Sequence, residues 1–151
     1  MNNLLTYLKA IAVPVLVGAA VGLLISGFMN YGDFLKPPLS PPAVLFPIVW
    51  TILYTLMGIS YGRLQVKGLT NDNITLIYYL QLFLNTLWPI FFFIFDWYLF
   101  SFFWLLLLIA LVILMIIQFY QKDKIAGILQ IPYLLWLCFA AYLNFGVYLL
   151  N

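Results

Sequence analysis

Long apolar runs separated by short polar turns dominate the chain. Residues 10–32, 37–62, 73–95, 97–121 and 125–151 contain no Asp, Glu, Lys or Arg, giving runs of 23, 26, 23, 25 and 27 residues. An α-helix rises about 1.5 Å per residue, so about 20 apolar residues cross a bilayer core of ~30 Å. Each run is therefore long enough to cross once. Residues 102–109 are apolar at every position, without the alternation of a barrel strand. In lipid, backbone groups must find partners within the segment itself. The pattern predicts an all-α integral membrane protein, a bundle of five transmembrane helices over about 6–28, 42–63, 74–95, 97–120 and 125–149. Residues 1–151 form one membrane domain, with a loop at 29–41 between the first two helices.

Composition agrees and narrows the function. Hydrophobic residues make up 67% of the chain and charged ones 7%, against roughly 25% charged in soluble domains. A water-soluble enzyme, a secreted disulfide scaffold and a disordered chain are excluded. Lys9, Arg63, Lys67, Lys122 and Lys124 fall at one end of the predicted bundle and Lys36 alone at the other. By the positive-inside rule the N-terminus is cytoplasmic and the C-terminus external. There is no clustered basic face for nucleic acid. His and Glu are absent, the one cysteine (Cys138) lies inside a span, and all four Asp lie in loops. That leaves no metal constellation, no nucleophile–base pair and no intramembrane carboxylate to couple ions. No metal or cofactor is expected. A tetrapyrrole, if bound, would be held by ring contacts rather than by a histidine on its metal.

The remaining chemistry is aromatic and amide. Counted from the helix ends on the side of the first loop, Trp50 lies about eight residues down the second helix. Trp88 and Asn85 lie about seven and ten down the third, and Asn144, Ala140 and Trp136 about five, nine and thirteen down the fifth. These groups occupy one layer. Pro132, Trp136, Ala140 and Asn144 repeat every four residues and share a face, as do Gln81, Asn85, Trp88 and Phe92, and Trp50, Tyr54 and Gly58. Amides avoid lipid, so Gln81, Asn85 and Asn144 should point inward. The layer reads either as core packing or as the lining of a pocket for a flat, largely apolar ligand oriented by a few amides. Asn85 could equally bridge two helices. Trp97 and Tyr98 read as interfacial belt residues, and the fourth helix as a lipid-facing wall. Pro14, Pro47, Pro89 and Pro132 interrupt four helices. Gly18/Gly22 and Gly58/Gly62 have the small-xxx-small spacing of close helix contacts, compatible with internal packing and with a homodimer. The proline-rich loop Tyr31–Pro42 reads as a stiff linker or as a lid over the layer.

The block Lys36-Pro37-Pro38-Leu39-Ser40-Pro41-Pro42, then Val49-Trp50-Thr51-Ile52-Leu53-Tyr54 and Gly58, resembles the signature of the TspO/MBR family, the translocator proteins. Leu84-Asn85-Thr86-Leu87-Trp88-Pro89 and Pro132-Tyr133-Leu134-Leu135-Trp136 with Phe139-Ala140 and Leu143-Asn144 are similar to its third and fifth helices. The resemblance spans nearly the whole chain. It implies a five-helix bundle that binds porphyrins such as protoporphyrin IX and hydrophobic drug-like molecules. The implied ligand-binding residues are Tyr31, Trp50, Asn85, Trp88, Trp136, Ala140 and Asn144. It also implies light- and oxygen-dependent porphyrin breakdown, with Trp50 and Trp136 implicated, in the plasma membrane of a bacterium. A tetrapyrrole transporter and a structural or regulatory membrane protein without a ligand are the alternatives. The animal sterol motif needs a basic residue after Tyr148, where this chain has Leu149, so sterol binding is not implied.

Overall fold

Once lipid removes water as a hydrogen-bond partner, the apolar runs have one solution, and the computed structural model shows it over the described residues, 2–28 and 34–151. The helices are α1 (Asn2–Ile25), α2 (Leu45–Val66), α3 (Asp72–Pro89), α4 (Tyr98–Lys122), α5 (Lys124–Ile128) and α6 (Ile131–Leu150), with a π-helical segment (Ile90–Ile94) extending α3. Five stretches are long and apolar enough to cross a membrane, α5 and α6 together making the fifth. Contacts run α1–α2, α2–α5/α6, α6–α4, α4–α3 and α3–α1, closing a ring.

Prolines decide where the spans depart from regular helix. Pro89 offers no N–H to the turn before it, and the chain beyond widens: Phe95 N donates to Ile90 O at 3.2 Å, an i→i+5 bond. The residue ahead of a proline disfavours helical backbone, and the fifth span breaks at Leu129–Gln130, so that Pro132 sits in the first turn of α6. Sequence periodicity carries one helix across 125–149; the structure has two. Pro47 lies in the first turn of α2, where a missing N–H costs nothing. Pro14 lies within a continuous α1. Only Pro89 and Pro132 mark real interruptions, not all four. Residues Pro42–Phe46 form a tight turn, Leu45 N to Pro42 O at 3.0 Å, which moves the start of α2 from the expected 42 to 45.

The two ends of the bundle are built differently. Toward the end that carries Lys67 and Lys122, Met57, Leu64, Val112, Met115 and Phe119 are wholly buried. Gly58 and Gly62 let α1 lie directly on α2: a Cβ on Gly58 would stand 2.4 Å from Ile11 Cα, and one on Gly62 3.0 Å from the Tyr7 ring. Tyr61 and Tyr78 stack at 4.1 Å. Asp123 caps α5 through the N–H of Ala126 and is bound by Arg63 and, at 3.3 Å, by Lys67. Burial pushes the Asp123 carboxyl up, but hydrogen bonds and charge from Arg63 and Lys67 outweigh it and hold the group below its usual range. The fourth helix buries Ser101, Leu105, Leu108, Val112, Met115 and Phe119 at alternating four- and three-residue spacing and exposes its other face. It is a wall with one core face, not lipid-facing all round.

Candidate functional site

Toward the other end, beneath the first loop, the ring of helices does not fill. A cavity of about 670 Å³ lies between α1, α2, α3 and α6, a volume typical of small-molecule sites. Trp50, Asn85, Trp88, Trp136, Ala140 and Asn144, drawn from three helices, all line it. Tyr31 lies outside the described residues. No α4 residue reaches it.

Each side chain is positioned by a local device. On α2, Trp50 stands one turn above Tyr54, ring centroids 5.4 Å apart, with the Tyr133 ring at 6.3 Å. Tyr54 donates its O–H to Asn85 Oδ1 at 2.6 Å, and Asn85 Nδ2 donates to Tyr133 Oη at 2.8 Å. Tyr133 in turn donates to Gln81 Oε1 at 2.8 Å, and Gln81 Nε2 reaches Met57 Sδ at 3.4 Å. This chain ties α2, α3 and α6 together and forms the floor. Buried polar groups need partners, and here each supplies the next. Higher up, Trp88 Nε1 donates to Asn144 Oδ1 at 2.9 Å and Asn144 Nδ2 to Tyr98 O at 2.8 Å.

The amides are therefore engaged by the protein. Asn85 and Asn144 hold helices at a fixed separation, the bridging alternative, while also facing the cavity. Trp50 and Trp136 differ: neither indole N–H has a hydrogen-bond partner among the described residues. Trp136 is steadied by ring contacts to Phe46 at 5.9 Å and Phe139 at 5.6 Å. Trp104, away from the cavity, donates to Leu84 O.

The loop closes the top. Phe34 is buried against Phe92 at 5.9 Å and Tyr98 at 6.0 Å, so Tyr98 belongs to the seat of the loop as well as to the surface. Pro37 presses onto Gly146, where a Cβ would come within 2.4 Å of its ring. Tyr142 donates to Pro38 O at 2.6 Å, and Asn151 grips Leu35 twice, accepting from its N–H at 3.1 Å and donating to its carbonyl at 2.8 Å. The described part of the loop is fastened to α6 and lines the cavity through Phe34, Lys36 and Ser40. It brings Lys36 to the cavity wall, the only charged side chain among the described lining residues.

Sequence reasoning missed Tyr133, Lys36 and the contribution of α1 through Val15, Gly18 and Gly22. Tyr133 was detectable: it precedes Trp136 by three and Ala140 by seven, the spacing of one helical face. No group of three metal-ligating side chains occurs among the described residues. What the arrangement can do is hold a flat apolar body between indoles, with an ammonium at one edge.

A sequence model of the TspO/MBR family matches residues 10–150. The chain belongs to the TspO/MBR family. The Tryptophan-rich protein TspO of Archaeoglobus fulgidus is 40% identical over 80% of this chain and 79% of that relative. The Tryptophan-rich sensory protein of Cereibacter sphaeroides is 34% identical over 97% of this chain and 90% of its own. The Translocator protein of Ovis aries is 33% identical over 81% and 75%. With five apolar spans and this membership, the protein is an integral membrane protein.

Proposed function

We propose that the protein is a membrane receptor for porphyrins of the protoporphyrin IX kind and for other flat hydrophobic ligands. The observation that carries this is the 670 Å³ cavity, lined by three indoles from three helices and by one ammonium, Lys36. A tetrapyrrole with carboxylate side chains matches that distribution: the ring lies among Trp50, Trp88 and Trp136, and a carboxylate lies toward Lys36, a charge-assisted contact in a low-dielectric site. That the Cereibacter sphaeroides relative is named a sensory protein agrees with a ligand-responsive role. Membrane crossing through the bundle is disfavoured, because the floor of Tyr54, Asn85 and Tyr133 rests on the filled layer of Met57 and Leu64.

In this reading the protein lies in a bacterial plasma membrane with its basic end in the cytoplasm and the lid outside, an orientation that five of six basic residues at one end support. With light and molecular oxygen as oxidant, a porphyrin held against Trp50 and Trp136 is degraded in place. Titration of the purified protein in lipid nanodiscs with protoporphyrin IX should quench tryptophan fluorescence saturably. Trp50→Phe and Trp136→Phe should slow illuminated porphyrin loss with folding intact. Quenching that stays linear at all concentrations would overturn the receptor reading; unaltered loss in both variants would overturn the photochemical one.

A further inference from the structure

The lid and the floor close two ends of the cavity, and most of the sides are closed too. Phe46 against Trp136 covers the seam between α2 and α6. Trp88 bonded to Asn144 covers that between α3 and α6, and the π segment lies against α1. The seam between α1 and α2 is different. Near the basic end the two helices touch backbone to backbone at Gly58. One turn beyond, Gly18 already faces the Tyr54 ring, where a Cβ would come within 2.3 Å. One turn further, a Cβ on Gly22 would meet no atom of the described residues within 4 Å. Around this level Ala19, Gly22 and Leu23 of α1, and Pro47 and Thr51 of α2, line the cavity and are exposed. The helices diverge, and the wall between them is a gap at the depth of lipid chains.

We propose that this gap is the ligand entrance, and that the protein takes a membrane-dissolved amphiphile sideways from the lid-side leaflet. The proposal rests on the receptor reading above and specifies its source of ligand. Chemistry favours the route. An apolar ring system concentrates in the bilayer, and the rim residues are small or apolar apart from Thr51. The Thr51 hydroxyl is satisfied by Pro47 O at 2.7 Å, so the rim presents no unmet donor to lipid. Entry through the top would instead require releasing Phe34, Pro37 and both Asn151 bonds. Gly22 then has a reason that helix packing does not provide, since a Cβ there would meet none of the described residues.

Stopped-flow tryptophan quenching by protoporphyrin IX, with protein and porphyrin in nanodiscs, tests the route. Gly22→Phe and Thr51→Phe plug the gap from opposite helices; Asn151→Ala frees the lid. Association and dissociation should both slow by about tenfold or more in a plug variant and stay unchanged in Asn151→Ala. Unchanged rates in both plugs, with faster rates in Asn151→Ala, would overturn the lateral route while leaving the receptor reading standing. Absence of saturable quenching in the wild type would remove the receptor reading, and the route with it.

Discussion

The two halves of the bundle use similar residues to opposite ends. In the basic half, medium-sized apolar side chains interdigitate with none of Met57, Leu64, Val112 or Met115 exposed, and glycines bring α1 onto α2. In the lid half, larger side chains leave a cavity. Trp and Phe are rigid, and once Trp88 is tied to Asn144 and Tyr54 to Asn85, the rings cannot turn inward to fill the space. In the basic half Tyr61, Tyr78 and Phe119 stack on one another and fill the space between helices; in the lid half the tied rings stand around a space they do not fill. Close packing is the rule in protein interiors, so the unfilled layer marks the half where we place the proposed ligand.

The same deletion in the two halves should break this comparison or sharpen it. Leu64→Ala, in the filled half, should cost 2–5 kcal/mol or so of stability, the usual loss when a buried leucine leaves a hole. Leu143→Ala removes a side chain that already borders empty space and should cost clearly less; thermal unfolding in one detergent compares them. Equal losses would mean that the cavity is not present in the folded protein. Glycine gives the next largest contrast. Gly58→Ala drives a methyl into the α1 backbone and should lower stability by about 1–3 kcal/mol, whereas Gly22→Ala should change it by less than about 0.5 kcal/mol. Like losses at both sites would show that α1 and α2 stay together along their whole length.

The smallest effect concerns Asp123. Its carboxyl is held low by Arg63 and Lys67 in the folded state, so its contribution is present above the unfolded carboxylate range. That contribution is lost as pH falls through the depressed folded value. Asp123→Ala should also lose the α5 cap, about 1 kcal/mol, while Asp123→Asn keeps an acceptor for the cap. Melting temperature followed from pH 7 down to strongly acid pH should fall further for the wild type than for Asp123→Asn. Parallel curves would show that the Arg63–Asp123 contact adds nothing.

Much of this was legible in the chain because lipid simplifies the problem. With water absent, apolar length alone specifies the spans, and the period of 3.6 puts Trp136, Ala140 and Asn144 on one face whatever their neighbours do. Depth counting brought Trp50, Trp88 and Asn85 to the same level, since rise per residue is constant. What could not be read depended on pairing between helices. Asn85 facing inward follows from its polarity, but that its amide bonds Tyr54 and Tyr133 depends on how far apart α2 and α6 stand. Gly18 and Gly22 look identical in sequence, yet one meets Tyr54 and the other open space, because divergence of α1 from α2 leaves no local trace. The break before Pro132 was hidden by the uniform hydrophobicity around it, although the proline itself signalled a departure.

Equilibrium binding of protoporphyrin IX to the wild type and to Ala140→Phe, in the same nanodiscs, tests the hollow layer most directly. Ala140 is buried on the cavity wall, and a benzyl group there would occupy the space assigned to the pigment. The account predicts saturable one-to-one binding to the wild type that weakens by about tenfold or more in Ala140→Phe, with the fold retained by circular dichroism. Binding of the same strength to both proteins would place the pigment elsewhere and contradict it.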